Sequence, residues 1–407
     1  MRILFLLPDY PFPPNTGGKS KVYSLLKILS THHQCDLLCF SDSNSKIKNF
    51  FITSRNINTL GILKKNHGFI NILIKLKNLL FGLPPSFSTY ESNSFVKELT
   101  KYLSIYKYDI VHIDIINMAQ YEKYIYNTPI IHSPNDATSL VYSRLAMNTT
   151  SIVYKLKFTL ASFLLRKYEK NNYYKFTKII VTSNTDYKYF INLDSRIKIK
   201  TIPIMVEDNY FLKRKVYKNK EINNNNLKIV CVGDVSNVGI KEGVLDFINI
   251  TLPKIIAKWP LIQFILLSKN FNEKEITKFE NRSNITIVKY VDNYIEFISN
   301  SDIVLIPDKY GPDGIKTRTL QAMALGMAVI GTETGFSGIP IVDGIHGVFY
   351  YNQKHCTELL VQLIENKERR IDLGYNANKL IINNFSFNYL AGYYRNIYNE
   401  LYLNRCN

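Results

Sequence analysis

Lys316 and Arg318 stand two residues apart, between a Gly/Pro/Asp turn at 311–314 and the amphipathic segment 320–325. Gly326 ends that segment, and the apolar run 327–330 follows. The order reads as loop, helix, stop, strand. Two cations and unpaired backbone N–H groups at a helix N-terminus stabilise an anion. An arginine adds a bidentate fork for phosphate oxygens. Cations at that end oppose the helix dipole unless an anion compensates them. The expected ligand therefore carries phosphate, and the pair suits a diphosphate. The plain alternative is a solvated helix start.

Three other loops follow apolar runs of strand length. Residues 8–21, PDYPFPPNTGGKSK, are stiffened by prolines, and Gly17 and Gly18 let the backbone approach a ligand with no Cβ in the way. Lys19 and Lys21 open the next helix. Residues 130–136, IIHSPND, end a strand at His132 and turn through Asn135 and Asp136. His132 is read as a ligand contact, with a satisfied structural histidine as the alternative. Residues 232–243, VGDVSNVGIKEG, turn at Gly233 and carry Lys241, which is either a phosphate contact or a solvated helix residue. Met323 reads as core.

Several chemistries lose support. The dinucleotide fingerprint G-x-G-x-x-G is missing, so no nicotinamide or flavin cofactor is expected. No G-x-S-x-G elbow offers a serine nucleophile. No Asp-x-Asp pair or histidine cluster suggests a metal, and none is expected.

The elements that must position these loops alternate strand and helix in two rounds. Strands are expected at 2–7, 36–40, 109–113, 129–132 and 178–182, with helices at 19–29 and 93–103 among them. After a polar linker at 221–226, strands are expected at 227–232, 262–267, 285–288, 303–306 and 328–330. Helices are expected at 244–257, 293–299 and 317–325, and 356–403 reads as helical throughout. Parallel strands joined by helices follow from this alternation. The fold class is α/β, with two doubly wound domains facing a central cleft. Ligands then belong at the carboxyl ends of the strands.

The 407 residues suffice for two such domains. Net charge is +18 but uneven: 27 Lys+Arg against 12 Asp+Glu in 1–205, or +15, and 24 against 21 in 206–407, or +3. A basic half suits an anionic membrane surface or a polyanion; solubility charge is the alternative. No nucleic-acid-binding signature is present, and nucleic acid is not an expected partner. The segment 152–174, with Lys155, Lys157, Arg166, Lys167 and Lys170 among Leu and Phe, could lie on anionic lipid or pack as an ordinary surface helix. The first residues, MRILFLLPDYP, hold too short an apolar run for a signal peptide, and no run is long enough to span a bilayer. Five scattered cysteines fit a reducing cytoplasm.

Read together, three stretches resemble one family. YPFPPNTGGKSKVYSLLKIL resembles the Pro-rich glycine loop and first helix of the family-4 (group 1) glycosyltransferases of the GT-B fold, of the bacterial surface-polysaccharide type. YEKNNYYKFTKIIVTSNTD resembles the family's Glu-bearing helix and the strand ending in Ser and Asp. SNSDIVLIPDKYGPDGIKTRTLQAMALGMAVIGTETGFSGI resembles its donor-binding signature, in the Gly-Ile-Lys-x-Lys/Arg form of one branch.

The resemblance implies two Rossmann-like domains. Residues 1–205, with a C-terminal helix 386–407 crossing back, would bind the acceptor, and 206–385 would bind a nucleotide diphosphate sugar donor. The sugar would pass, with retention and without a metal or other cofactor, to a hydroxyl of a lipid-linked glycan on the cytoplasmic face of the inner membrane. Lys316 and Arg318 would hold the diphosphate, with Gly233, Gly314 and Ile315 beside them. Gly17 and Gly18 would lie against the donor from the other domain. His132 would contact the sugar or line the acceptor side with Lys19, Lys21 and Asp136. The two glutamates that many members carry eight positions apart correspond to Asp313 and Gln321, toward the sugar hydroxyls and the ribose. Asp234 stands where an arginine often follows the glycine at 233. A non-enzymatic sugar-nucleotide-binding partner, or an epimerase or phosphorylase on the same fold, are the other readings.

Overall fold

The computed structural model describes residues 1–14, 16–41, 56–149, 151–217, 226–270, 283–311 and 314–406. They divide into two units, Met1–Pro203 with Leu390–Asn407, and Ile204–Tyr389.

The first unit runs β1 (Arg2–Leu7), α1 (Gly17–Leu29), β2 (Gln34–Phe40), β3 (Ile57–Leu63), α2 (Gly68–Leu80), α3 (Asn93–Ile105), β4 (Ile110–Asp114), β5 (Ile130–Ser133), α4 (Thr138–Asn148), α5 (Ile152–Asn172), β6 (Lys178–Val181), α6 (Asn184–Leu193) and β7 (Ile199–Thr201). Among the described residues these strands form one seven-stranded sheet in the order β3-β2-β1-β4-β5-β6-β7. Every pairing is parallel. The central strands are buried and mostly apolar because both their faces are covered. Leu4, Leu6, Phe40, Phe95, Val111, Ile113 and Phe176 belong to one core cluster.

The second unit runs α7 (Asp208–Tyr217), β8 (Lys228–Val232), α8 (Val238–Asp246), a π-helical turn Phe247–Thr251, α9 (Leu252–Lys258), β9 (Gln263–Leu267), β10 (Ile285–Val288), α10 (Tyr294–Ser299), β11 (Ile303–Ile306), α11 (Thr317–Ala324), β12 (Ala328–Gly331), β13 (Val348–Phe349), α12 (Gln353–Glu365) and α13 (Lys367–Phe385). Its six described strands are all parallel, in the order β10-β9-β8-β11-β12-β13. The last helix, α14 (Phe387–Cys406), leaves this unit and joins the first from Leu390 onward.

The two doubly wound Rossmann-like domains expected from the alternation are present. The helix expected at 244–257 begins earlier, at Val238, and continues through the π-helical turn. The helical C-terminus breaks twice, where Asn366 caps α13 and where Ser386 bridges to Val206. Strands β3 and β7 escaped the sequence reading because they are edge strands, half exposed and without a continuous apolar run. Most of the linker read at 221–226 lies outside the described residues.

Each sheet reverses its winding once, between β1 and β4 and between β8 and β11. The crevice outside the strand ends at such a reversal is where doubly wound domains bind ligands.

Candidate functional site

In the first unit the loop after β1 ends at Thr16, whose side chain caps α1 by accepting the Lys19 N–H. Gly17 and Gly18 form the first helical residues, and a Cβ on Gly18 would stand 3.7 Å from the Asn135 amide nitrogen. The loops after β1 and β5 therefore meet. One turn on, Lys21 points inward and is buried. Its Nζ forms an ion pair with Asp114 at 2.8 Å. It also donates to Asn135 Oδ1 at 2.8 Å and to the Ser133 carbonyl and hydroxyl at 3.2 Å each. Four acceptors surround three donor hydrogens, so Lys21 is a strut that joins α1 to β4 and β5. It has no donor left for an acceptor molecule, contrary to the expectation for it. Ile115, directly after Asp114, holds φ 51°, a costly value for a β-branched residue.

His132 is also corrected. Its ring is wholly buried, stacked 4.7 Å from the Phe176 ring. Nδ1 lies 3.0 Å from the Ile113 carbonyl, which can only accept, so Nδ1 carries the proton and Nε2 accepts from the Tyr173 hydroxyl at 3.2 Å. Burial holds its pKa down, to about 3, so the ring is neutral. Both ring nitrogens are satisfied within the first unit. Lys19 and Asp136 are half-buried at the loop ends themselves.

Sequence reasoning named the segment around Glu169 but gave it no role. Glu169 is buried, and its two oxygens accept from the N–H and the hydroxyl of Ser139. Asp186 accepts from the Ala137 N–H at 2.8 Å and from the Ser183 hydroxyl. Two buried carboxyls thus hold the turn 135–139 from beneath. Burial pushes the Glu169 carboxyl up to about 8.

In the second unit, Gly233 ends β8, and a Cβ there would meet Ile240 at 2.9 Å and lie 3.9 Å from the Arg318 guanidinium carbon. Asp234 accepts from the Ser236 N–H and from the Asn270 amide, at 2.9 Å for each shorter contact. Arg318 Nη2 donates to both oxygens of buried Asp308, just beyond β11. Its Nε is buried with no hydrogen-bond partner among the described residues. The Arg318 charge is therefore compensated inside the protein. Lys316 stands at the N-cap of α11, with no side-chain cap and no acid in the first turn.

The loop after β11 is fixed to α8. A Cβ on Gly239 would fall 2.0 Å from the Tyr310 carbonyl oxygen, and one on Gly243 would fall 1.7 Å from that of Pro307. Tyr310 donates to Glu242 at 2.7 Å, and Lys309 pairs with Asp246 at 2.8 Å. Gly326 ends α11 at φ +73°, the left-handed conformation that terminates helices.

Gly314 is half-exposed, and the Ile315 side chain is buried among the α11 core residues. Gln321 hydrogen-bonds the Tyr210 side chain of α7. Asp313 lies outside the described residues. A surface hollow of about 780 Å³ at the turn between α12 and α13, lined by Gln362, Glu365 and Arg369, contains none of these groups.

The structure thus brings Gly233, Asp308 and Arg318 together at one strand-end cluster. Residues 226–366, which contain that cluster, match the family model described as "Glycosyl transferases group 1". These residues form a group 1 glycosyl transferase domain. The chain is accordingly a transferase.

Two proteins are similar over nearly the whole length, and a third over less than half of it. An uncharacterized 44.6 kDa protein in the cps region of Klebsiella pneumoniae is 21% identical over 94% of this chain and 96% of its own. An uncharacterized glycosyltransferase of Methanocaldococcus jannaschii is 22% identical over 98% of both chains. A capsular polysaccharide biosynthesis glycosyltransferase of Staphylococcus aureus is 26% identical over 44% of this chain and 47% of its own. Among solved structures, a sucrose-phosphate synthase from Thermosynechococcus elongatus superposes with TM-score 0.72 at 16% identity, covering 99% of this chain and 100% of that one. HepE of Anabaena, solved with UDP and glucose, gives 0.64 at 12% identity over 97% and 98%. These likenesses establish the GT-B fold around the transferase domain.

Proposed function

We propose that the protein transfers a sugar from a nucleotide diphosphate sugar to a hydroxyl of a lipid-linked glycan in surface polysaccharide synthesis. The observation that carries this is the anion-seeking cluster of the transferase domain. Lys316 stands at the N-terminus of α11, which no side chain caps, and the Asp308-anchored Arg318 lies beside Gly233 at the end of β8. The relatives' association with capsule regions supports the polysaccharide assignment.

In the proposed reaction the acceptor oxygen bonds to the anomeric carbon as the bond from that carbon to the diphosphate breaks. The acceptor proton passes to a leaving-phosphate oxygen on the same face, so configuration is retained. The products are a glycoside and a nucleoside diphosphate. No protein nucleophile, metal or cofactor is assigned. Negative charge grows on the diphosphate as the bond breaks, and Lys316, Arg318 and the α11 N–H groups stabilise it. A ligand oxygen near Arg318 would also satisfy its unpartnered Nε. The first unit supplies the acceptor side through the loops carrying Lys19 and Asp136. The reaction is placed on the cytoplasmic face of the inner membrane, which the protein touches peripherally.

Lys316→Ala and Arg318→Lys test the assignment in assays with UDP-, GDP- and dTDP-sugars. Arg318→Lys is preferred to alanine because alanine would leave Asp308 buried and unpaired, at about 3–5 kcal/mol. Each variant is expected to keep its fold by circular dichroism and to lose about 100-fold or more in kcat. Undiminished transfer by both would overturn the diphosphate assignment. A thermal-shift screen with the same donors identifies the base, since a ligand bound only by the native state raises Tm.

A further inference from the structure

We propose that α2 and the first half of α5 form one surface that lies in the interface of a bilayer bearing anionic headgroups. The inference sharpens the peripheral membrane contact proposed above and rests on it; it adds a second element, α2, and assigns the residues.

The α2 helix is turned inside out. The buried side of the helix carries Asn78, which is fully buried, while Asn71 accepts from the Ser88 hydroxyl of the adjoining 3-10 turn Pro85–Tyr90. Its apolar residues face outward: Phe69 is 71% exposed, Leu80 87% and Phe81 75%, with Ile72 and Leu76 between them. A surface helix in water normally shows the opposite arrangement. On α5, Ile152, Leu156, Leu160 and Phe163 recur at helical spacing along one exposed stripe.

The two helices are joined. The 3-10 turn after α2 packs its Phe87 ring edge-on against Tyr168 of α5, with centroids 4.8 Å apart. A Cβ on Gly82, just past α2, would stand 3.7 Å from Lys167 Nζ. The end of α2 and the second half of α5 are therefore neighbours, and their exposed apolar residues go far beyond the isolated exposed side chains usual on soluble proteins.

Charge selects the occupant. Residues 43–90 and 137–168 contain no Asp or Glu, yet they carry Lys64, Lys65, Lys75, Lys77, Arg144, Lys155, Lys157, Arg166 and Lys167. Of these cations Lys65 and Lys77 pair with Asp9 and Glu91, and the excess of positive charge around the apolar face fits acyl chains beneath anionic headgroups. A second copy of the same basic face would meet it with like charge. At 13 residues, α2 spans roughly 20 Å, too short for a hydrocarbon core of about 30 Å, so it lies along the surface.

The test is co-sedimentation of the full chain with vesicles of phosphatidylcholine alone or with about one-third phosphatidylglycerol, at low and high salt. Three variants accompany it: Leu76→Gln with Leu80→Gln, Leu156→Gln with Leu160→Gln, and Lys155→Gln with Lys157→Gln. All six side chains are exposed, so the folded state should survive. The wild type should bind the anionic vesicles, and each apolar pair should lower its partition about tenfold. The lysine pair should weaken binding at low salt and leave it less sensitive to salt. If the wild type binds while the α2 pair binds equally well, this inference fails and the peripheral reading stands. If the wild type binds neither vesicle, both fail. Light scattering that finds a dimer dispersed by the α2 pair also overturns it. Sugar transfer plays no part in the readout.

Discussion

Glu169 is buried beneath a turn that carries Asp136, and its protonation sets the stability of that turn. With its carboxyl pushed from about 4.5 up to about 8 by burial, the folded protein keeps a proton that the unfolded chain releases. The folded state therefore binds more protons between those values, and stability falls as pH rises through that window. Below it both states are protonated and the effect vanishes. Glu169→Gln removes the ionisation and keeps an acceptor for the Ser139 N–H. Urea denaturation at pH 6 and pH 9 is expected to show a smaller alkaline loss for the variant than for the wild type. His132, neutral in the folded protein but protonated in the unfolded chain below about 6.5, acts in the opposite sense, raising stability as pH climbs to that value; it is common to variant and wild type and cancels in their comparison.

At the scale of elements, α8 positions the loop after β11 through backbone contact alone. Gly243→Ala would drive a methyl into the Pro307 carbonyl oxygen, 1.7 Å away. A backbone oxygen cannot rotate aside, so the loop and Asp308 must shift, at a cost of about 1–3 kcal/mol or more. The expected outcome is a lower Tm and weaker donor binding in the thermal-shift assay, with Lys316 and Arg318 both still present. The i, i+4 glycines of VGIKEG were readable in the sequence, but what they touch was not. Strand ends were legible because buried parallel strands are short apolar runs bounded by polar turns. The Lys21–Asp114 and Arg318–Asp308 pairs were illegible because each joins a helix residue to the carboxyl end of a strand, and periodicity reports nothing about contacts between elements. Lys21 looked like a ligand contact for the same reason: a cation opening a helix has the same sequence whether it points out or in. The α2 helix escaped notice because its inverted polarity matches no simple core-facing pattern.

At the scale of the molecule, the first unit is built from both ends of the chain. Its closing piece, α14 from Leu390 onward, buries Leu390, Tyr394, Ile397, Tyr398 and Leu401. The Tyr398 hydroxyl lies 2.7 Å from His112 Nδ1 in the centre of the sheet, and His112 Nε2 has no partner among the described residues. Tyr398→Phe would leave the buried imidazole with neither nitrogen paired, costing about 1–3 kcal/mol. A lower denaturant midpoint, with the transferase domain's nucleotide-induced Tm shift preserved, is the expected result. The same layout fixes an order of events during synthesis. Residues 204–389 are contiguous and can collapse as soon as they leave the ribosome. The unit that begins first must wait for the final residues before its sheet is fully covered. Domains usually mature from the N-terminus onward; here the earlier-made half finishes last. Until then the side chains that Leu390, Tyr394, Ile397 and Tyr398 pack against lack that cover.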